Sequence, residues 1–352
     1  MKIVSLLFCF CLFFNSYSQP GDKYSLLTQK YVERPLAMYK GQLQFNTGYD
    51  FSIISRKFDA EGEKIDLSTE GSVAAKHLFP FTLKAGLLDY VQLSVSANYA
   101  AMGVRQQNIT TRSLSAVLYQ SVIERYKGFD DLYFGLDLSA PFKLPWISWT
   151  LTGGIHLPLF SHEPDKPSHT YEILDAVTGS ADLQYRYNLK FGSGIPVGVI
   201  GSSVKFRSGK FSLTGSFHYL GGMKEGESSD WNFRLVNEQF EFEQEKYNYH
   251  PGNQTEVYGE VAFQAISWFS LIGSFSGYQK KGGWSNITGK KVSYYDESLN
   301  QFTIGYEILV SPLLRIYQHT VLPVSGKNIS GQWIFMTGVS VNFISDRYNS
   351  LN

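Results

Sequence analysis

Segments of strict two-residue apolar alternation, short turns that trade places with long polar loops, and an apolar leader predict an all-β fold. The fold class is a transmembrane antiparallel up-and-down β-barrel of about 12 strands, 14 being the alternative count, with short periplasmic turns and long external loops. In Gln332 to Phe343, Trp333, Phe335, Thr337, Val339, Val341 and Phe343 share one face of an extended chain, and Ile334, Met336, Gly338, Ser340 and Asn342 share the other. A soluble strand could carry the same pattern, so number, spacing and context of the strands must decide.

The chain begins with Met1-Lys2, an apolar run from Ile3 to Phe14, and Ser16-Tyr17-Ser18, the grammar of a secretory signal peptide cut before Gln19. The run is too short for a spanning helix. Cys9 and Cys11 both lie inside it, so an exported chain would carry no disulfide. Lys and Arg (31) balance Asp and Glu (31), which excludes nucleic acid as the main partner. Tyr (23), Phe (26) and Gly (32) are abundant, as expected of strands. Beyond the leader no apolar run is long enough for a membrane helix, so any span must be a closed barrel. The expected divisions are a leader 1–18, a periplasmic lead-in 19–40 broken at Glu33-Arg34-Pro35, a barrel 41–343 and a tail 344–352.

Within the barrel, Leu43, Phe45, Thr47, Tyr49, Phe51 and Ile53 alternate with polar residues over a length unusual for a soluble strand. An extended segment near 69–87, the turn Leu88-Asp89-Tyr90 and a strand from Val91 to Tyr99 follow. A long connection from Gly103 to Gly128 leads to strands at 131–139 and 147–157, joined by Phe142-Lys143-Leu144-Pro145-Trp146. Strands at 197–206 and 211–219 turn at Ser208-Gly209-Lys210. The charged stretch Gly221 to Asn253 reads as a loop. Strands near 256–266 and 268–278 have almost no loop between them, and strands at 301–310 and 313–322 turn at Ser311-Pro312. Ala181 to Phe191 is strand-like but breaks the even count, and is assigned to the third external loop as a hairpin or an inward constriction. Tyr90, Trp146, Trp149 and Trp268 lie at the short turns, where an aromatic girdle belongs.

The segments ERPLAMYKGQLQFNTGYDF, FTLKAGLLDYVQLSVSANY, GFDDLYFGLDLSAPF and HTVLPVSGKNISGQWIFMTGVSVNF, spread from Glu33 to Phe343, carry a resemblance to a known family. In their order and spacing the chain resembles the outer-membrane barrel family named after the meta-pathway of phenol degradation, transporters related in architecture to hydrophobic-compound channels. That resemblance implies passive transport of small molecules, hydrophobic ones included. Family barrels commonly end on the terminal aromatic, whereas nine residues follow Phe343 here.

If the apolar faces meet lipid, the opposite faces line a lumen. Parity places Gln44, Asn46, Asp50, Gln92, Asn98, Asp131, Tyr133, Asp137, His156, His218, Glu256, Glu260 and Glu307 there. Their carboxylates would favour cations or polar neutral solutes, or simply sit in a water-filled, salt-bridged interior. Asp130-Asp131 point opposite ways on a strand, a poor start for a metal site. Ser161 beside His162, with His156 nearby, lacks a visible third member of a nucleophilic triad. No cofactor fingerprint or zinc spacing is present. The expectation is an outer-membrane channel, not an enzyme, with membrane lipid as its surroundings. A barrel enzyme acting on lipid, and a surface barrel whose loop from Gly221 to Asn253 binds a partner, are the alternatives.

Overall fold

The computed structural model describes residues 31–34, 36–66, 74–88, 90–112, 117–126, 128–139, 146–158, 168–175, 180–189, 193–236, 239–286, 290–311 and 313–344. Twelve strands close on themselves: β1 (Gln42–Phe58), β2 (Ala74–Leu88), β3 (Val91–Arg112), β4 (Leu132–Ser139), β5 (Ile147–Leu157), β6 (Val197–Ser208), β7 (Phe211–Gly222), β8 (Asn253–Ile266), β9 (Phe269–Lys281), β10 (Glu297–Ser311), β11 (Leu314–Lys327) and β12 (Ile329–Ile344). Each pairs antiparallel with its neighbours in sequence, and β12 returns to β1 from Gln42↔Ile344 to Phe58↔Ile329. The barrel is all-β, antiparallel and twelve-stranded, as the alternation predicts; the fourteen-strand count is not met.

The alternation sorts side chains by face. The outer wall exposes large apolar residues such as Leu83, Leu136, Leu151, Ile200, Leu213, Val261 and Ile304. The buried positions are mainly polar: Gln92, Ser94, Thr150, Lys205, Ser212, Glu260, Gln264, Ser270, Glu307, Arg315, Ser340 and Asn342. A soluble fold inverts this arrangement, because water rejects a continuous apolar girdle. Tyr90, Trp146, Trp149 and Trp268 are 44, 50, 36 and 51 % exposed, and they sit at the end of the barrel that carries the short turns. There the Gly209 φ of 55° closes the β6–β7 hairpin, in a left-handed conformation that suits glycine.

At the other end the structure departs from the sequence reading. Strand β3 runs on to Arg112, and Val117–Tyr126 returns along it, so most of the expected connection from 103 to 128 is sheet. The strand-like piece at 181–191 is the second arm of a hairpin, one of its two expected forms: Ser180–Leu189 pairs antiparallel with Ser168–Asp175 and, beyond what the sequence indicates, in parallel with Val117–Tyr126. The wet stretch between 221 and 253 contains a hairpin, Gly226–Val236 with Gln239–His250, whose edge takes Trp284–Ser285 and then Val292–Ser293. Finally, β11 and β12 turn on the single residue Asn328 (φ 52°). Their mutual ladder stops at Val321↔Ile334, next to Pro323, which has no N–H to offer. Phe58, fully buried, fills the space beside Gly326, Ile329 and Gly331.

Val261 is 53 % exposed midway along the outer face of β8. Val261→Arg is expected to destabilise the folded barrel in lipid by about 2–4 kcal/mol, read by denaturant titration of heat-modifiable migration.

Candidate functional site: the lumen and its plug

The described residues of the lead-in do not lie below the barrel. They enter it. A single 3-10 turn, Tyr31–Glu33, lies against the inner faces of β7 and β8. Val32, 1 % exposed, packs on Ala262 and Ile272 in a small apolar cluster within an otherwise polar interior. The Tyr31 hydroxyl donates to Glu260 Oε2 (2.9 Å), and the Lys205 ammonium donates to the Tyr31 carbonyl (2.9 Å). Both Arg34 and Lys205 stand 5.1 Å from the Tyr31 ring centroid, two cations on one ring. Burial first, and Glu260 next, hold the Tyr31 phenol well above its usual pKa, so it stays protonated and donates.

Arg34 forks onto Glu307: Nη1 donates to Oε2 at 2.9 Å and Nη2 to Oε1. The two side chains are 17 and 10 % exposed, so this bidentate pair is shielded from water. Farther on, the Met38 amide donates to Gln92 Oε1 (3.0 Å), and the Gly41 amide to the Gly86 carbonyl (2.9 Å). Tyr39 lies so close to Gly86 that no Cβ would fit there. The segment thus crosses the bore, held by β6, β8 and β10 on one side and by β2 and β3 on the other.

The residues singled out by parity fall into separate groups. Asp137 accepts from Gln92 Nε2 (2.6 Å) and Thr152 Oγ1 (2.6 Å), a network toward the short-turn end. Toward the other end, Asn98 donates weakly to Asp130 (3.5 Å), while Asp131 Oδ2 accepts from the Ser193 amide (2.8 Å) and hydroxyl (2.5 Å). Ser193 is fixed further by Tyr249, whose hydroxyl donates to its carbonyl (2.5 Å); burial pushes that phenol up to about 12. Tyr133 and His156 lie against each other across β4 and β5 (ring centroids 4.9 Å). His218 and Glu256 are register partners on β7 and β8 and line a cavity of about 430 Å³. Glu260 and Glu307 hold the crossing segment, and Asp50 is buried in the wall of β1. Ser161 and His162 lie outside the described residues.

Parity on the strands also holds Lys76, Lys205, Arg207 and Arg315 on the inner side, cations that the acid-centred reading passed over. Val204 and Phe206 flank Lys205, the same signal that marked the carboxylates. Tyr31 and Arg34 had no such signal, since their segment has no strand period.

Several inner-face rings lie flat on glycines directly opposite them: His218 on Gly201, His319 on Gly305 and Tyr317 on Gly338. Each ring occupies the space where a Cβ would stand. Aromatic covering of a bare strand position restores the contacts that glycine omits.

A closed twelve-stranded barrel, apolar outside and polar within, has the architecture of transmembrane β-barrels. Two solved structures show how far the likeness goes. An outer-membrane channel from Pseudomonas putida F1 superposes with a TM-score of 0.57 at 10 % identity, covering 93 % of this chain and 100 % of that one. The P. putida toluene transporter TodX gives a TM-score of 0.45 at 9 % identity, covering 92 % of each chain. At these identities the first is a likeness of fold. No family model matches the chain, and no curated protein matches it in sequence.

Removing one partner of a shielded ion pair leaves the other uncompensated, at a cost of about 3–5 kcal/mol. Arg34→Ala is therefore expected to free the crossing segment and raise single-channel conductance in planar bilayers. The exchanged pair Arg34→Glu with Glu307→Arg is expected to return conductance toward the native level.

Proposed function

We propose that the protein is an outer-membrane channel for the passive passage of small molecules, hydrophobic ones included, and that residues 31–39 set whether the bore conducts. The observation that carries this reading is the crossing segment. It spans a polar lumen on a handful of side-chain contacts, chiefly Arg34–Glu307, Tyr31–Glu260 and Lys205 to the Tyr31 carbonyl. A filler that served stability alone would be expected to bury apolar surface. This segment buries Val32 and Ala37, and its polar contacts run to the charged Glu260, Glu307 and Lys205 and to the neutral Gln92. Asp50, Gln92, Asn98, Asp131, Tyr133, Asp137, His156, His218, Glu256, Glu260 and Glu307 belong to the proposed pathway wall, together with Lys205 and Arg315. Export through a leader cut before Gln19, and lipid as the barrel's surroundings, are parts of the same proposal.

Liposomes carrying the purified protein test it, with uptake of small sugars and of phenol-sized aromatics measured for the native chain and for Arg34→Ala. The expected result is flux of at least one solute class, faster in the variant. If neither protein passes any solute while both show heat-modifiable folding, the channel reading fails.

A further inference from the structure

One row across the middle of the outer wall is polar. On β10, β11, β12 and β1, the outward-facing residues Tyr306, Gln318, Thr337 and Tyr49 are successive register partners. Two residues to either side stand Ile304 and Ile308 on β10, and Phe335 and Val339 on β12, so the row lies within the apolar belt and not at its margin. Tyr306 donates its hydroxyl proton to Gln318 Oε1 (2.6 Å), and the Tyr49 hydroxyl stands 2.6 Å from His77 Nδ1 on β2. Gln318 and Thr337 are both exposed, and among the described residues nothing accepts from the two amide N–H groups of Gln318. Elsewhere the wall differs. The outward hydroxyl of Ser202 on β6 accepts from Trp149 Nε1 (2.7 Å), and β7 and β8 present Leu213, Phe217, Val257 and Val261.

Hydrocarbon offers an amide neither donor nor acceptor, so an amide held in the middle of such a wall calls for a polar partner. We propose that this face, centred on Gln318 and Thr337, is the contact between two copies of the chain in the membrane. Hydroxyls and amides donate and accept alike, so the row is complementary to itself, as a two-fold contact requires. Two barrels with their long loops on the same side of a bilayer are related by a two-fold axis along the bilayer normal. Such an axis preserves depth, so a residue close to it meets its own counterpart at the same level. Because barrel strands are tilted, the rows of the two copies are inclined and cross at the axis. Gln318 and Thr337 therefore meet the same pair across it, while Tyr306 and Tyr49 diverge to either side. A groove of about 400 Å³ beside the row, lined by Phe51 and Phe335 among others, lets side chains of the second copy settle close to the wall. This inference rests on the membrane placement and not on whether the bore conducts.

Sedimentation equilibrium of the full chain in density-matched detergent micelles measures the association, and the native chain is expected to be dimeric. Gln318→Leu is expected to weaken the dimer about tenfold, and Leu213→Ala, on the β7 wall, to leave it unchanged. Cysteine cross-linking locates the contact in liposomes. With Cys9 and Cys11 changed to Ser, Thr337→Cys is expected to give a disulfide-linked dimer on oxidation, and Leu213→Cys to give none. Heat-modifiable migration checks that each variant is folded. A native chain that is monomeric in both micelles and liposomes, or native association in folded Gln318→Leu, overturns the proposal. A monomer that retains a bound lipid, lost in Gln318→Leu, makes a lipid the occupant and equally overturns it. Liposome flux separates this contact from the channel reading: a Gln318-dependent dimer that passes no solute keeps the contact and removes the channel, and flux through a monomer does the reverse.

Discussion

Inside a bilayer no water waits to satisfy an unpaired amide, so a sheet that crosses one must have no edge. Everything else in this molecule depends on that. The β1–β12 ladder, from Gln42↔Ile344 to Phe58↔Ile329, joins the first strand to the last across nearly the whole barrel. Closure around twelve strands leaves an interior wider than a single layer of side chains fills. A dedicated segment can then lie across it. The N-terminal stretch enters just before β1, already beside the inner wall, and its turn at Tyr31–Glu33 reaches the far strands β6 to β10.

How the segment is held follows from the same division of faces. With apolar residues sent outward, the inner wall has polar groups to offer, and burial makes their pairing compulsory. Lys205, Glu260 and Glu307 therefore meet Tyr31 and Arg34 in direct contacts. The Val32 cluster with Ala262 and Ile272 is the exception, a small apolar seat that fixes the position of the charged ones.

Much of the barrel could be read from residues because parity is a local property. Leu43 to Ile53 and Trp333 to Phe343 declare their outer faces without knowledge of their partners, and they turn out to be neighbours in register. What could not be read is non-local. The extension of β3 to Arg112 and the parallel ladder between Val117–Tyr126 and Ser180–Leu189 depend on pairings that no local pattern specifies. The turn at Asn328 was masked by Pro323 and Gly326, which look like loop residues and instead stand in a strand that pairs with β10. In the site, the carboxylates were visible by parity. Lys205, between Val204 and Phe206, carries the same parity signal. Arg34 carried no period at all, and only its approach to Glu307 gives it meaning.

The rings that lie flat on glycines separate the residue that faces the bore from the residue that sets its width. His218, His319 and Tyr317 rest against the wall because Gly201, Gly305 and Gly338 on neighbouring strands leave a recess for them. The calibre of the passage at those levels is therefore written in positions that touch nothing passing through it. A methyl group placed on one strand would be felt as a narrowing by the side chain of the next.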